Sequence, residues 1–96
     1  MIIARVVGDV VATIKDEKIV GRKLLIVREV TTENEIVGKP LVAIDTVDAG
    51  IGDVVLVAQG SSARQTQLTK DTPTDAVIFA IVDSLELEGK VTFRKS

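Results

Sequence analysis

The chain contains no cysteine, histidine, tryptophan or tyrosine, and only two phenylalanines among its 96 residues. Each absence removes a class of chemistry. Without cysteine there is no disulfide to brace a short chain and no thiolate nucleophile, a composition that fits a reducing cytosol. With histidine missing too, a structural zinc lacks its usual ligands, and neither a Ser-His-Asp triad nor an imidazole acid–base group can be built. The aromatics are too few for a base-stacking platform, and the net charge of −2 provides no basic field for a phosphate backbone. Nucleic acid is therefore not an expected partner. The opening run, M-I-I-A-R-V-V-G-D, has no basic region followed by an apolar one, so no signal peptide is expected. No apolar run approaches the ~20 residues needed to span a bilayer, so no membrane partner is expected. The composition points to a soluble, cytoplasmic protein with no metal and no cofactor.

What the chain has in quantity is valine, isoleucine and threonine, the stiff β-branched types that suit a pleated surface. Its length predicts one domain, residues 1–96. A chain this short buries only about 60–65% of the surface its unfolded state exposes, so its stability needs support. With disulfides and zinc removed, oligomerisation is the support that remains.

Residues 2–15 alternate well, with Ile2, Ala4, Val6, Gly8, Val10, Ala12 and Ile14 on one face. This predicts a long strand, bent or bulged at Gly8, where the side chain is missing. A polar connection over residues 16–21 leads to a second strand over residues 23–32. Residues 33–40 carry Asn, Gly and Pro and read as a loop. Two apolar runs follow, residues 41–47 and 54–58, joined by a glycine turn over residues 48–53. They read as a tight hairpin whose second strand empties into Gly60-Ser61-Ser62-Ala63-Arg64. Ser61 or Ser62 caps one short helical turn through about residue 68, and Pro73 stops any helix beyond. Residues 76–87 form the last long strand, Glu88-Gly89 turns the chain, and residues 90–95 pair back. The expected fold is all-β, a small closed or nearly closed antiparallel barrel of five to six strands. No helical segment is long enough for a βαβ crossover, so parallel pairing is not expected. Outward apolar residues such as Val55, Val57, Val77, Phe79 and Ile81 then require a second subunit as cover.

Three motifs invite chemical readings. Gly50 and Gly52 form a G-x-G, but a strand follows where a dinucleotide loop needs a helix, so turn glycines are the favoured reading. The cluster Gly60, Ser61, Ser62, Ala63 and Arg64 lacks the G-x-S-x-G pattern and the base of a nucleophile elbow. It reads as a helix cap, with anion binding as the alternative. The aspartates Asp45, Asp48, Asp53, Asp75 and Asp83 lack the spacing of a calcium loop. Asp45 and Asp83, set in apolar runs, read as structural acids paired with an arginine or a backbone amide. No paired acid and base can be named, so an enzyme is not expected.

Three segments in order resemble one known family: V-V-G-D-V-V-A-T-I-K with G-R-K-L-L-I-V, then L-V-A-I-D-T-V-D-A-G-I-G-D-V-V-L-V-A-Q-G-S-S-A-R, then P-T-D-A-V-I-F-A-I-V-D. The chain resembles the EutN/CcmL-type pentameric vertex proteins of bacterial microcompartments, including carboxysomes. The resemblance implies an OB-like β-barrel that assembles as a homopentamer and plugs the fivefold vertices of a shell of hexameric proteins. It implies no catalytic residue and no cofactor. It places Gly60–Arg64 at or near the subunit contacts around the fivefold axis, with Asp48, Gly50 and Gly52 as further contact candidates. Asp48 stands where many relatives carry a glycine, a departure that touches the local turn. Residues 87–96 lie outside the matched segments. A small-molecule or anion-binding oligomer using the Gly60–Arg64 loop is the alternative function.

Overall fold

A computed structural model describes residues 1–13, 21–60 and 75–95. Seven strands are found there: β1 (Ile2–Val10), β2 (Lys23–Glu29), β3 (Leu41–Asp45), β4 (Val54–Gln59), β5 (Ala76–Ile81), β6 (Ser84–Leu87) and β7 (Lys90–Arg94). The first five close a barrel in the order β1-β2-β3-β5-β4, and β6 and β7 pair only with each other. The all-β barrel is as expected. The short helical turn expected after Ser61 lies outside the described residues.

The expected β3–β4 hairpin is not formed. β5 lies between these two strands, antiparallel to β4 and parallel to β3, with Ile44 opposite Val77 and Asp45 opposite Ile78. The barrel is thus not wholly antiparallel. The parallel pair needs no crossover helix, because β4 itself carries the chain back across the barrel between β3 and β5.

Alternation sets the interior. Ala4, Val6, Leu25, Val27, Ala43, Val55, Val57, Ala76 and Ile78 share one core and are almost wholly buried. Filling it with valine-sized side chains matches the narrow interior of a small barrel. Gly8 marks a register shift against β2, the bulge its missing side chain predicts. β1 stops at Val10 rather than at residue 15, and β2 at Glu29 rather than at residue 32.

The phase expected for β4 is inverted: Val55 and Val57 face the core, and Ile81 packs against it. With both faces of residues 54–57 apolar, alternation alone leaves the phase open. Val77 does face outward, where it forms a small second cluster with Ile44 and Leu24. Val54 and Val77 are nonetheless fully buried within a single chain, so part of the outer apolar surface needs no partner.

The last long strand expected over residues 76–87 breaks after Ile81. Asp83 therefore sits at the break rather than inside a strand, and its carbonyl accepts the Lys95 N–H at 2.8 Å. Beyond the break, β6 and β7 form a hairpin closed by Glu88-Gly89, as expected.

Candidate assembly surface

The segment between β3 and β4 folds over one end of the barrel. Its anchor is Asp45, the only charged residue buried among those described. One carboxylate oxygen accepts the Val47 N–H at 3.0 Å and the other accepts the Ala49 N–H at 2.8 Å. The Lys23 ammonium lies 3.4 Å from the same carboxylate and donates to the Ala49 carbonyl and, at 3.0 Å, to Asp48. Asp45 thus pairs with backbone amides, as expected, and with a lysine in place of an arginine. Its role is to fold the chain over the barrel end.

Asp48 has φ of 57°, a left-handed backbone that aspartate tolerates better than most side chains. This accounts for a position that glycine would also suit. At Gly50 and Gly52 the geometry is that of a turn and not of a phosphate cradle. The Gly50 carbonyl accepts the Asp53 N–H at 3.0 Å, and Gly52 takes φ of 95° at the third position, as a type II turn requires. The Gly52 N–H then donates to the Val6 carbonyl at 2.8 Å, while the Val6 N–H donates to the Asp53 carbonyl at 2.9 Å. Two residues facing one, led by a positive-φ glycine, make a G1 bulge that welds the turn to β1. The Gly50 N–H is taken by the Asp53 carboxylate at 2.9 Å. The amides of Gly50, Gly52 and Asp53 are thus already used, and the turn presents Ile51, 69% exposed, to the outside.

Gly60 ends β4. Its N–H donates to the Asp75 carbonyl at 2.8 Å, just before β5 begins. Ser61, Ser62, Ala63 and Arg64 lie outside the described residues. Among the described residues no cluster of acids and histidines could hold a metal ion, and no helix is long and apolar enough to cross a membrane.

Sequence reasoning missed two features of the outer barrel face. Arg5 and Arg28 are direct cross-strand partners between β1 and β2. Arg5 donates to the carbonyl and side-chain oxygens of Asn34, at 2.9 and 2.6 Å, and Arg28 Nε donates to the Gly38 carbonyl at 2.8 Å. Both clamp the loop between β2 and β3. The second feature is Gly38, where a Cβ would lie 2.8 Å from the Glu29 Cβ. The strand register could have revealed the arginine pair, but it is not readable from one sequence.

The comparisons with known proteins decide the family. The family profile described as "Ethanolamine utilisation protein EutN/carboxysome" matches residues 1–83. The chain belongs to the EutN/CcmL family. Among its relatives is the bacterial microcompartment shell vertex protein PduN of Salmonella typhimurium, 42% identical over 88% of this chain and 98% of that one. The structure of CcmL from Nostoc sp. PCC 7120 superposes with a TM-score of 0.89 at 40% identity, covering 99% of this chain and all of the other. GrpN from Rhodospirillum rubrum, a pentameric microcompartment shell protein, superposes at 0.80 with 41% identity, covering 91% of this chain and 99% of that one. The relatives of this chain are thus structural shell vertex proteins rather than enzymes.

Proposed function

We propose that this chain is a structural vertex protein of a bacterial microcompartment shell, acting as a homopentamer at the fivefold corners. The observation that carries the reading is the end-to-end correspondence, in sequence and in fold, with shell vertex proteins and with a pentameric shell protein. The site geometry supports it. In the segment between β3 and β4 the buried carboxylate of Asp45 is spent on folding the chain, and Ile51 at the turn is apolar and exposed. A binding or catalytic loop would hold polar groups in reserve. Apolar side chains offered outward suit contact between subunits.

The finer assignments follow from the same reading. Gly60, Ser61, Ser62, Ala63 and Arg64 stand at or near the fivefold axis, where five copies of one loop meet. Asp48, Gly50 and Gly52 hold a turn whose tip meets a neighbouring subunit. The partners of the pentamer are the hexameric proteins that tile the shell facets. Native mass spectrometry tests the oligomer: the expected mass is about 51 kDa, five times the 10.2 kDa chain. A clean monomer at micromolar concentration would overturn the reading.

A further inference from the structure

Among the described residues two half-buried faces carry apolar side chains together with charged ones. The first is the outer face of β1–β3. Ala4, Val6, Leu25 and Val27 point into the core, so Arg5, Ile26 and Arg28 point outward, and Val42 is paired with Ile26. Val42 is 50% exposed, while Arg5, Ile26 and Arg28 are half-buried. Like charges directly across a strand pair are unfavourable unless something balances them. Here the partners are neutral oxygens of Asn34 and Gly38, and among the described residues no carboxylate forms an ion pair with either arginine.

The second face belongs to the β6–β7 hairpin. It starts just past residue 83, where the family match ends, and its strands pair with no barrel strand. Leu85 faces Phe93 across the hairpin, Leu87 lies on the same side two residues on, and all three are only half-buried. An isolated two-stranded hairpin is at best marginally stable in water. This one is tied to its own chain through the Thr92 hydroxyl, which donates to the Thr32 carbonyl, and through Lys95, 3.8 Å from Asp53. Cover on its Leu85, Leu87 and Phe93 side would add to that support. Glu86 and Glu88 are acidic residues on β6 and at its turn.

We infer that the β6–β7 hairpin of one subunit docks on the β1–β3 outer face of the next, with its apolar side on Ile26 and Val42 and its tip carboxylate, Glu88, facing Arg5 and Arg28. The inference rests on the pentameric reading. Every contact in a fivefold ring is heterologous, joining one patch on each subunit to a different patch on its neighbour. The chain offers two such patches: one apolar with paired arginines, the other apolar with the carboxylates Glu86 and Glu88 on β6 and its turn, beside Lys90 and Arg94 on β7. Apolar area together with arginine is also the composition of strong interface centres. A neighbour's carboxylate would relieve the arginine–arginine repulsion.

The absence of native cysteine makes the test clean. Chains carrying Val42→Cys are co-expressed with distinguishably tagged chains carrying Leu87→Cys, and mild oxidation is applied. A cross-linked heterodimer is expected only in the mixture, since neither chain alone holds both thiols. Separately, Arg28→Glu is expected to raise the protein concentration for half-assembly at least about tenfold, and Glu88→Arg in the same chain to restore part of the loss. Circular dichroism confirms that each variant is folded. Pentamers in native mass spectra without the mixed cross-link, and unmoved by Arg28→Glu, overturn the docking and leave the pentamer standing. A monomeric unmodified chain overturns the pentamer itself.

Discussion

Replacing Asp45 with asparagine changes one oxygen into an amino group and should unhook the segment between β3 and β4. The side chain is 1% exposed, so water cannot compensate. Its carboxylate accepts two backbone N–H groups, from Val47 at 3.0 Å and from Ala49 at 2.8 Å, and faces the Lys23 ammonium at 3.4 Å. An amide oxygen can keep one of these N–H groups. The new amino group then points its hydrogens at the other N–H or at the ammonium, donor against donor. Losing a charge-assisted hydrogen bond costs about 1.5–3 kcal/mol, and a buried donor left unpaired costs about 1–3 kcal/mol. These overlap, so roughly 3 kcal/mol is expected, a large part of the ~5–15 kcal/mol that holds a typical domain together. Denaturant unfolding of both proteins at one fixed concentration measures it, because assembly makes the midpoint concentration-dependent. Hydrogen exchange should also quicken at the Val47 and Ala49 amides before it changes in β2. A loss under about 1 kcal/mol, with those amides unchanged, would refute the reasoning.

Three further predictions come from the same region and its neighbours. Gly52→Ala forces a side chain into a φ of 95° and should cost about 1–3 kcal/mol, read as a lower denaturant midpoint. Gly38→Ala places a Cβ 2.8 Å from the Glu29 Cβ and 3.1 Å from the Glu29 nitrogen, and should cost about 1–3 kcal/mol by overpacking. Lys23 is held above its ordinary value of 10.5, first by its hydrogen bond to Asp48, with the charges of Asp48 and Asp45 adding to it and burial opposing. A lysine raised on folding contributes its stability in full below the unfolded value and loses it as pH rises through the folded one. The midpoint difference between the native chain and Lys23→Gln should therefore be flat from about pH 7 to 9 and shrink above about 10.5.

Much of the barrel was legible because its signals are local. Alternation of β-branched residues marks β1, the missing side chain of Gly8 marks its bulge, and Glu88-Gly89 marks the terminal turn. Asp45 was legible as a structural acid because a lone carboxylate in an apolar run must find donors. The insertion of β5 between β3 and β4 was not, since strand pairing between distant segments leaves no local trace. Nor was the phase of β4, where both alternating sets are apolar. Gly38 read as loop punctuation because its close approach to Glu29 depends on the same distant packing. The candidate site divides the same way. Gly50 and Gly52 were readable as a turn, while the Arg5–Arg28 pair exists only through strand register.

The central claim is that this chain closes shell corners. Facet-forming shell proteins expressed with and without it, and imaged by electron microscopy, test that claim most directly. Closed polyhedral shells carrying this chain at their vertices are expected when it is present, and open or elongated ones when it is absent. Closed shells of the same shape formed without it would contradict the account.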